Sequence, residues 1–209
     1  MGIGRVLKLL MRERLVAWRG LLRRIKEREG RVNIIFFHGL YGKNGAFYEI
    51  SKKIPKEYGI KEARGYIDKE EVEISAKRVA DWIIREKMEK VILVGHSKGG
   101  LITSELIKGK YGVSKKIKKI INFSTPYQGS IISLLPLRGM KDLELSKTER
   151  VYENEGKIVN IYPRIDNRIW PRESLRLKGA ENIEIDTLGH ASILEDERAM
   201  KVLLEKIKI

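Results

Sequence analysis

The feature that most limits the fold is the recurrence of short, almost wholly apolar runs: VNIIFF at 32–37, VILVG at 91–95, IKKIINF at 117–123, KIVNIY at 157–162 and NIEI at 182–185. A strand with one wet face alternates apolar and polar residues; these runs mostly do not, and so suit strands covered on both faces. A weaker strand is expected at 60–67. Between the runs lie helical patterns. Ala76, Val79, Ala80 and Ile83 mark an amphipathic helix of about 15 residues, led by Glu70, Glu71 and Glu73, acids that suit a helix N-terminus. A last helix, near 192–207, opens with Glu195-Asp196-Glu197 and buries Met200, Leu203 or Leu204, and Ile207. Strand and helix in alternation imply βαβ units, hence an α/β fold with a mostly parallel central sheet and helices on both faces.

The remaining segments divide the chain. Residues 3–29 read as one helix in which Leu7, Met11, Leu15, Trp18, Leu22 and Ile25 form an apolar stripe, while Arg5, Lys8, Arg12, Arg19, Arg23 and Lys26 form a basic one. Such a helix packs its apolar stripe on the body of the protein or on a second subunit, or lies at a membrane interface. The expected organisation is a basic amphipathic extension over 1–30 and an α/β domain over 31–209. Within that domain the least patterned stretch, 127–150, is a candidate lid or cap.

Composition excludes several classes. At 209 residues and 42% hydrophobic, the chain supplies one ordinary core. It has no cysteine, so disulfides and thiolate metal sites are out. The net charge of +15 attracts polyanions without specifying one, and without an RNA- or DNA-binding signature no specific nucleic acid is expected. A charged fraction of 34% with a single glutamine, Gln128, suits a protein from a hot environment. The segment VLKLLM after Arg5 is broken by Lys8 and ended by Arg12-Glu13-Arg14 with no small-residue cleavage site, so a cytoplasmic location is expected.

The chemistry centres on Gly95-His96-Ser97-Lys98-Gly99, which fits G-x-S-x-G at the end of an apolar strand and ahead of the helical GLITSELIKG. That context holds a serine hydroxyl clear of the sheet on a sharp turn. A phosphate-binding loop would need its lysine before the serine and its glycines ahead of both, and the order here fails that test. Ser97 as nucleophile needs a histidine base and an orienting carboxylate. His190 follows the last short strand, and Asp166 follows KIVNIY, so both fall at the carboxyl ends of strands as Ser97 does. Asp186 and Asp142 are the alternatives for the acid. The oxyanion would take the amides of Lys98 and of Leu40, in Phe37-His38-Gly39-Leu40. His38 and His96 read as structural. The Lys98 side chain either packs its stem and extends its ammonium to water or an acid, or favours substrates with an anionic portion.

These motifs together resemble the α/β-hydrolase superfamily, and within it the bacterial lipases and lipase-like esterases. The resemblance runs from about residue 32 to the C-terminus. It rests on the His38-Gly39 loop, on Gly95 to Gly100, on Thr125-Pro126 followed by Gly129-Ser130, on Asp166 to Pro171, and on Gly189-His190. Two strands usual at the start of that fold are missing, which is similar to the small members of the family. The resemblance implies acyl transfer to water, with a small-molecule or lipid ester as substrate. A serine-centred ester hydrolysis implies neither a metal nor an organic cofactor. A thioesterase or acyltransferase on the same triad, and a membrane-associated binding protein on the same scaffold, are the other readings. The oligomeric state is left open.

Overall fold

The structure is a computed structural model and describes residues 3–145, 152 and 155–209. Its six strands are β1 (Val32–Phe37), β2 (Tyr58–Glu62), β3 (Val91–His96), β4 (Ile117–Phe123), β5 (Ile158–Ile165) and β6 (Glu181–Leu188). Every pairing is parallel, in the order β2-β1-β3-β4-β5-β6. The helices are α1 (Ile3–Leu22), α2 (Tyr48–Lys53), α3 (Val72–Arg85), α4 (Lys98–Glu105) and α5 (Glu197–Lys206). This is the parallel α/β sheet that the apolar runs imply, in the small form that the resemblance to the α/β-hydrolases leads one to expect.

The unbroken apolar runs follow from burial on both faces. In β1, Ile35 and Phe37 join Val79, Trp82 and Ile83 of α3 and Leu101 of α4 on one side. Ile34 and Phe36 point the opposite way, into a second core with Ile50 of α2 and Met200 and Leu203 of α5. The sheet direction reverses between β1 and β3, since β2 lies on the far side of β1. At such a switch point the loops leaving β1 and β3 diverge and open a crevice at the carboxyl ends of the strands.

Three expectations need correction. Helix α1 ends at Leu22, short of Glu29, because the next residues pair with the sheet edge: the Arg28 and Ile60 backbones exchange hydrogen bonds of 3.0 and 2.8 Å. Arg28 also donates to the carbonyls of Ile54, Pro55 and Tyr58, so the edge is covered. Second, the apolar stripe of α1 does not pack on the body of the protein. Leu7, Met11, Leu15, Trp18 and Leu22 are all exposed, Trp18 to 59%, and only Ile25, beyond the helix, is buried. Among the described positions of α1, the inward ones are Glu13, Val16 and Gly20. They allow close approach, since a side-chain carbon on Gly20 would stand 3.1 Å from the Ala46 backbone. Third, the terminal helical segment is a 3₁₀ turn (Ser192–Glu195) followed by α5, with Asp196 between them. Residues 146–150 of the expected lid segment lie outside the described residues, and no helix among those described is long and apolar enough to cross a membrane.

Asp196 caps α5, accepting a 2.9 Å hydrogen bond from the Arg198 amide and pairing with the Arg198 guanidinium at 2.8 Å. Burial pushes its carboxyl up, but bonds from Arg198, Thr187 and the Arg198 amide outweigh this and bring it from an ordinary 3.8 to about 2. A depressed carboxyl stabilises the fold above its unfolded value and loses that contribution as pH falls through its folded one. Asp196→Ala should therefore lower stability near pH 7 by about 1 kcal/mol, or about 2–4 °C in Tm. Chemical denaturation at several pH values should show the gap to wild type closing between about pH 4 and about pH 2; a gap constant down to the lower value would contradict the cap's electrostatic role.

Candidate active site

Ser97 stands between β3 and α4 with φ 54° and ψ −126°, a backbone conformation that a side-chain-bearing residue adopts only under constraint. The constraint is visible on both sides. The Ser97 amide donates to the Phe123 carbonyl at 2.9 Å, and the Ser97 carbonyl accepts from Gly100 at 2.9 Å. Added side-chain carbons at Gly99 and Gly100 would collide with the Phe37 and His38 carbonyls and with the Thr125 hydroxyl, so both glycines are required by close packing. Behind the turn, buried Asn122 of β4 donates to the Gly100 carbonyl and to Ser104 and accepts from Thr103, which fastens α4 to the sheet.

His190 follows β6 and Asp166 follows β5. The His190 Nδ1–H donates to Asp166 Oδ2 at 2.8 Å and lies 3.1 Å from Oδ1, which leaves Nε2 as the ring's lone-pair nitrogen. Asp166 also accepts from the Arg168 and Ile169 amides at 2.8 and 2.9 Å. Burial pushes the Asp166 carboxyl up, but attraction to His190, its hydrogen bond and the two amides more than offset that and hold it below the usual carboxylate range. The carboxylate is thus kept ionised beside the imidazole. Of the alternative acids, Asp186 pairs with Arg164 at the surface and Asp142 pairs with Lys98, so neither meets His190.

The histidines read as structural have structural partners. The ring of His96 packs 4.7 Å from that of His190 and donates from Nε2 to the His190 carbonyl at 3.1 Å. Burial, followed by the nearby His190, pushes His96 down to about 3, so it stays neutral. His38 bonds the Gly39 carbonyl and is likewise lowered by burial.

Leu40 lies in the turn leaving β1, which approaches the serine turn so closely that a side-chain carbon on Gly39 would stand 3.0 Å from Ser97 Cβ. Lys98 is the first residue of α4, where an amide has no intrahelical partner. Its side chain is fully buried and does not line the cleft. The ammonium donates to the carbonyls of Glu70 and Gly139 at 2.8 and 2.7 Å and pairs with Asp142 Oδ2 at 2.9 Å. Of the two readings for this side chain, the acidic neighbour holds; an anionic substrate portion finds no free charge there. Lys98 instead ties the serine turn to the segments around residues 70 and 140.

Ser97 and His190 line one cleft of about 270 Å³. Its walls are apolar (Leu40, Tyr41, Leu194) and its charges are the cations Lys43 and Arg168. Unexpectedly, Val16, Gly20 and Leu21 of α1 form another wall. Two residues about the histidine escape sequence reasoning. Asn167 Oδ1 accepts from the His190 amide at 2.9 Å, and Glu13 of α1 accepts from the Ala191 and Ser192 amides. A signal for Glu13 exists: it is the one acid in a helix otherwise rich in arginine and lysine.

With that geometry in view, sequence comparison finds that the model of the lecithin:cholesterol acyltransferase family matches residues 69–176, just over half of the chain. The chain belongs to the lecithin:cholesterol acyltransferase family. No curated protein matches it. Among solved structures, this family member is similar to the mature Bacillus licheniformis lipase BlEst2, with a TM-score of 0.67 at 18% identity over 88% of this chain and 95% of that one. It is also similar to MGS-MChE2, an α/β-hydrolase from the metagenome of lagoon sediments at Mar Chica, with a TM-score of 0.62 at 22% identity over 87% and 92%. A marine microorganism esterase aligns with a TM-score of 0.59 at 14% identity over 88% and 98%. At such identities these structures establish the shared α/β-hydrolase fold.

The buried Lys98 pair carries a prediction for this family member. Lys98→Met takes the buried ammonium away from two carbonyls and from the Asp142 carboxylate, which keeps the Val72 amide, and breaking such a pair costs about 3–5 kcal/mol. At 2–4 °C per kcal/mol the Tm should fall by roughly 6–20 °C. Thermal unfolding checks this, and a shift within about 2 °C would show that the pair is not holding the turn.

Proposed function

We propose that this chain is a serine hydrolase of carboxylic esters acting through Ser97, His190 and Asp166. The observation that carries the reading is the Nδ1–H of His190 held by a buried, ionised Asp166 at 2.8 Å in the cleft where strained Ser97 stands. In this mechanism His190 Nε2 takes the Ser97 proton as Oγ attacks the ester carbonyl, and the Leu40 and Lys98 amides donate to the oxyanion. His190 then returns the proton to the leaving alcohol. Water, deprotonated by the same nitrogen, releases the acid from the acyl-enzyme. A lipase and an esterase among the structural neighbours support this chemistry. The family's name supports a variant in which a second alcohol takes the place of water; the same residues serve either acceptor.

The cleft lies below the usual pocket range of roughly 300–1,000 Å³, so short acyl chains fit within it and longer ones extend past Leu21 and Tyr41. Fluorophosphonate labelling and turnover of p-nitrophenyl esters of graded chain length test the reading. Ser97→Ala should abolish labelling and lower kcat on the order of 10⁴-fold or more, and Asp166→Asn should lower it about 10³- to 10⁴-fold. A well-folded wild type that neither labels nor turns over would refute the assignment.

A membrane surface as the source of the ester is favoured by α1. Leu7, Met11, Leu15, Trp18 and Leu22 face solvent, with exposed Arg12 and Arg14 on the same helix. That is the outward-facing pattern of a helix lying in an anionic lipid interface. Met11→Ser with Trp18→Ser, which leaves the inward face intact, should weaken sedimentation with phosphatidylglycerol vesicles about tenfold or more; unchanged sedimentation would remove the lipid surface from the proposal.

A further inference from the structure

The turn that carries His190 is held from several directions, and one hold comes from the opposite end of the chain. Its amides and carbonyl are each engaged: Gly189 N–H with the Ile165 carbonyl at 2.8 Å, His190 N–H with Asn167 Oδ1 at 2.9 Å, and the His190 carbonyl with His96 at 3.1 Å. The next two amides belong to Glu13. Its Oε1 accepts from Ala191 at 3.1 Å and Ser192 at 2.7 Å, and its Oε2 accepts from Ala191 at 3.0 Å. Glu13 is buried, as are Ala191 and Ser192. No lysine or arginine pairs with Glu13 among the described residues, so the two backbone amides are its compensation.

Gly189 fits this picture. It has φ +106°, and a side-chain carbon there would collide with Glu13 Oε1 and the Ser192 hydroxyl. The glycine before the histidine is therefore the space that Glu13 occupies. Helix α1 also sits directly on the cleft, since Val16 and Gly20, one turn and two turns beyond Glu13, line it with Ser97 and His190.

We propose that Glu13 is a positioning residue for His190, a clasp through which helix α1 fixes the turn that aims the imidazole at Ser97. The proposal rests on the ester-hydrolase reading. Removing the carboxylate orphans two buried amides, and a turn with orphaned donors moves until it finds other acceptors or water. The imidazole is attached one residue earlier, so it moves with the turn. Misplacement of about 1 Å is enough to cost on the order of a hundredfold in rate, while the cleft walls that bind the ester stay in place.

The test compares wild type, Glu13→Ala and Glu13→Gln with a short-chain p-nitrophenyl ester, with rates expressed per site titrated to completion by a fluorophosphonate. Glu13→Ala should lower kcat per titrated site on the order of tenfold to a hundredfold with KM within about twofold. Glu13→Gln keeps one acceptor oxygen for the two amides and should fall between the others. A Glu13→Ala protein with wild-type kcat per titrated site overturns the proposal, as does activity lost only in proportion to titratable sites, which is what a purely structural residue would give. Equal losses in the two variants overturn it as well. Should Glu13→Ala fail to fold, Glu13→Gln decides alone: lowered kcat at unchanged KM supports the clasp, and unchanged kcat overturns it. A wild type that neither labels nor turns over would instead remove the hydrolase reading itself and the clasp's role with it, an outcome distinct from an active wild type indifferent to Glu13.

Discussion

The strained turn at Ser97 is the constraint on which the rest depends. A residue with φ 54° in a strand-to-helix turn is held there by its surroundings or not at all. The holding is done by two side-chain-free residues, Gly99 and Gly100, which let α4 press against the carbonyls at the end of β1 and against Thr125 after β4. The order β1-β3-β4 in the sheet places those neighbours on either side of the serine. Asn122 and buried Lys98 extend the hold into α4 and into the segments near residues 70 and 140. The serine's place at the cleft is thus a result of packing over several elements.

A basic chain has built its site from buried and half-buried acids. Lysine and arginine number 43 against 28 aspartate and glutamate, yet Asp166, Asp142 and Glu13 each hold a part that must not move: the imidazole, the ammonium behind the serine, and the turn after the histidine. The cations Lys43 and Arg168 stand at the cleft. Many other carboxylates, such as Glu29, Glu89 and Glu197, lie in exposed ion pairs, so it is these few inward acids that set the site apart.

The central sheet was legible because its strands, buried on both faces, write themselves as unbroken apolar runs. The grouping of Ser97, Asp166 and His190 was legible too, because strand ends in a parallel sheet converge on one edge. What was not legible was governed by direction. An apolar stripe on α1 carries no sign saying which way it faces, and the habit of turning apolar residues inward fails when a single carboxylate and two small residues make the better inward contact. The end of α1 was overshot because pairing between Arg28 and Ile60 is a long-range backbone contact with no local signature. Lys98 was half legible: a packed stem with its ammonium reaching water or an acid was expected, but its full burial and the two carbonyls it meets depend on loop paths that no periodicity encodes.

Glu13 and Ser192 are separated by 179 positions, and this has a consequence for the order in which the molecule assembles. Contacts between distant parts of a chain close late, since the loop between them must be paid for first. The serine turn draws on contacts that reach no further along the chain than Asp142, through the buried Lys98. The histidine turn gains its last two hydrogen bonds only when β6 is in place and α1 has swung onto it. The turn that carries His190 is accordingly fastened by a contact that closes a far longer loop than those around Ser97.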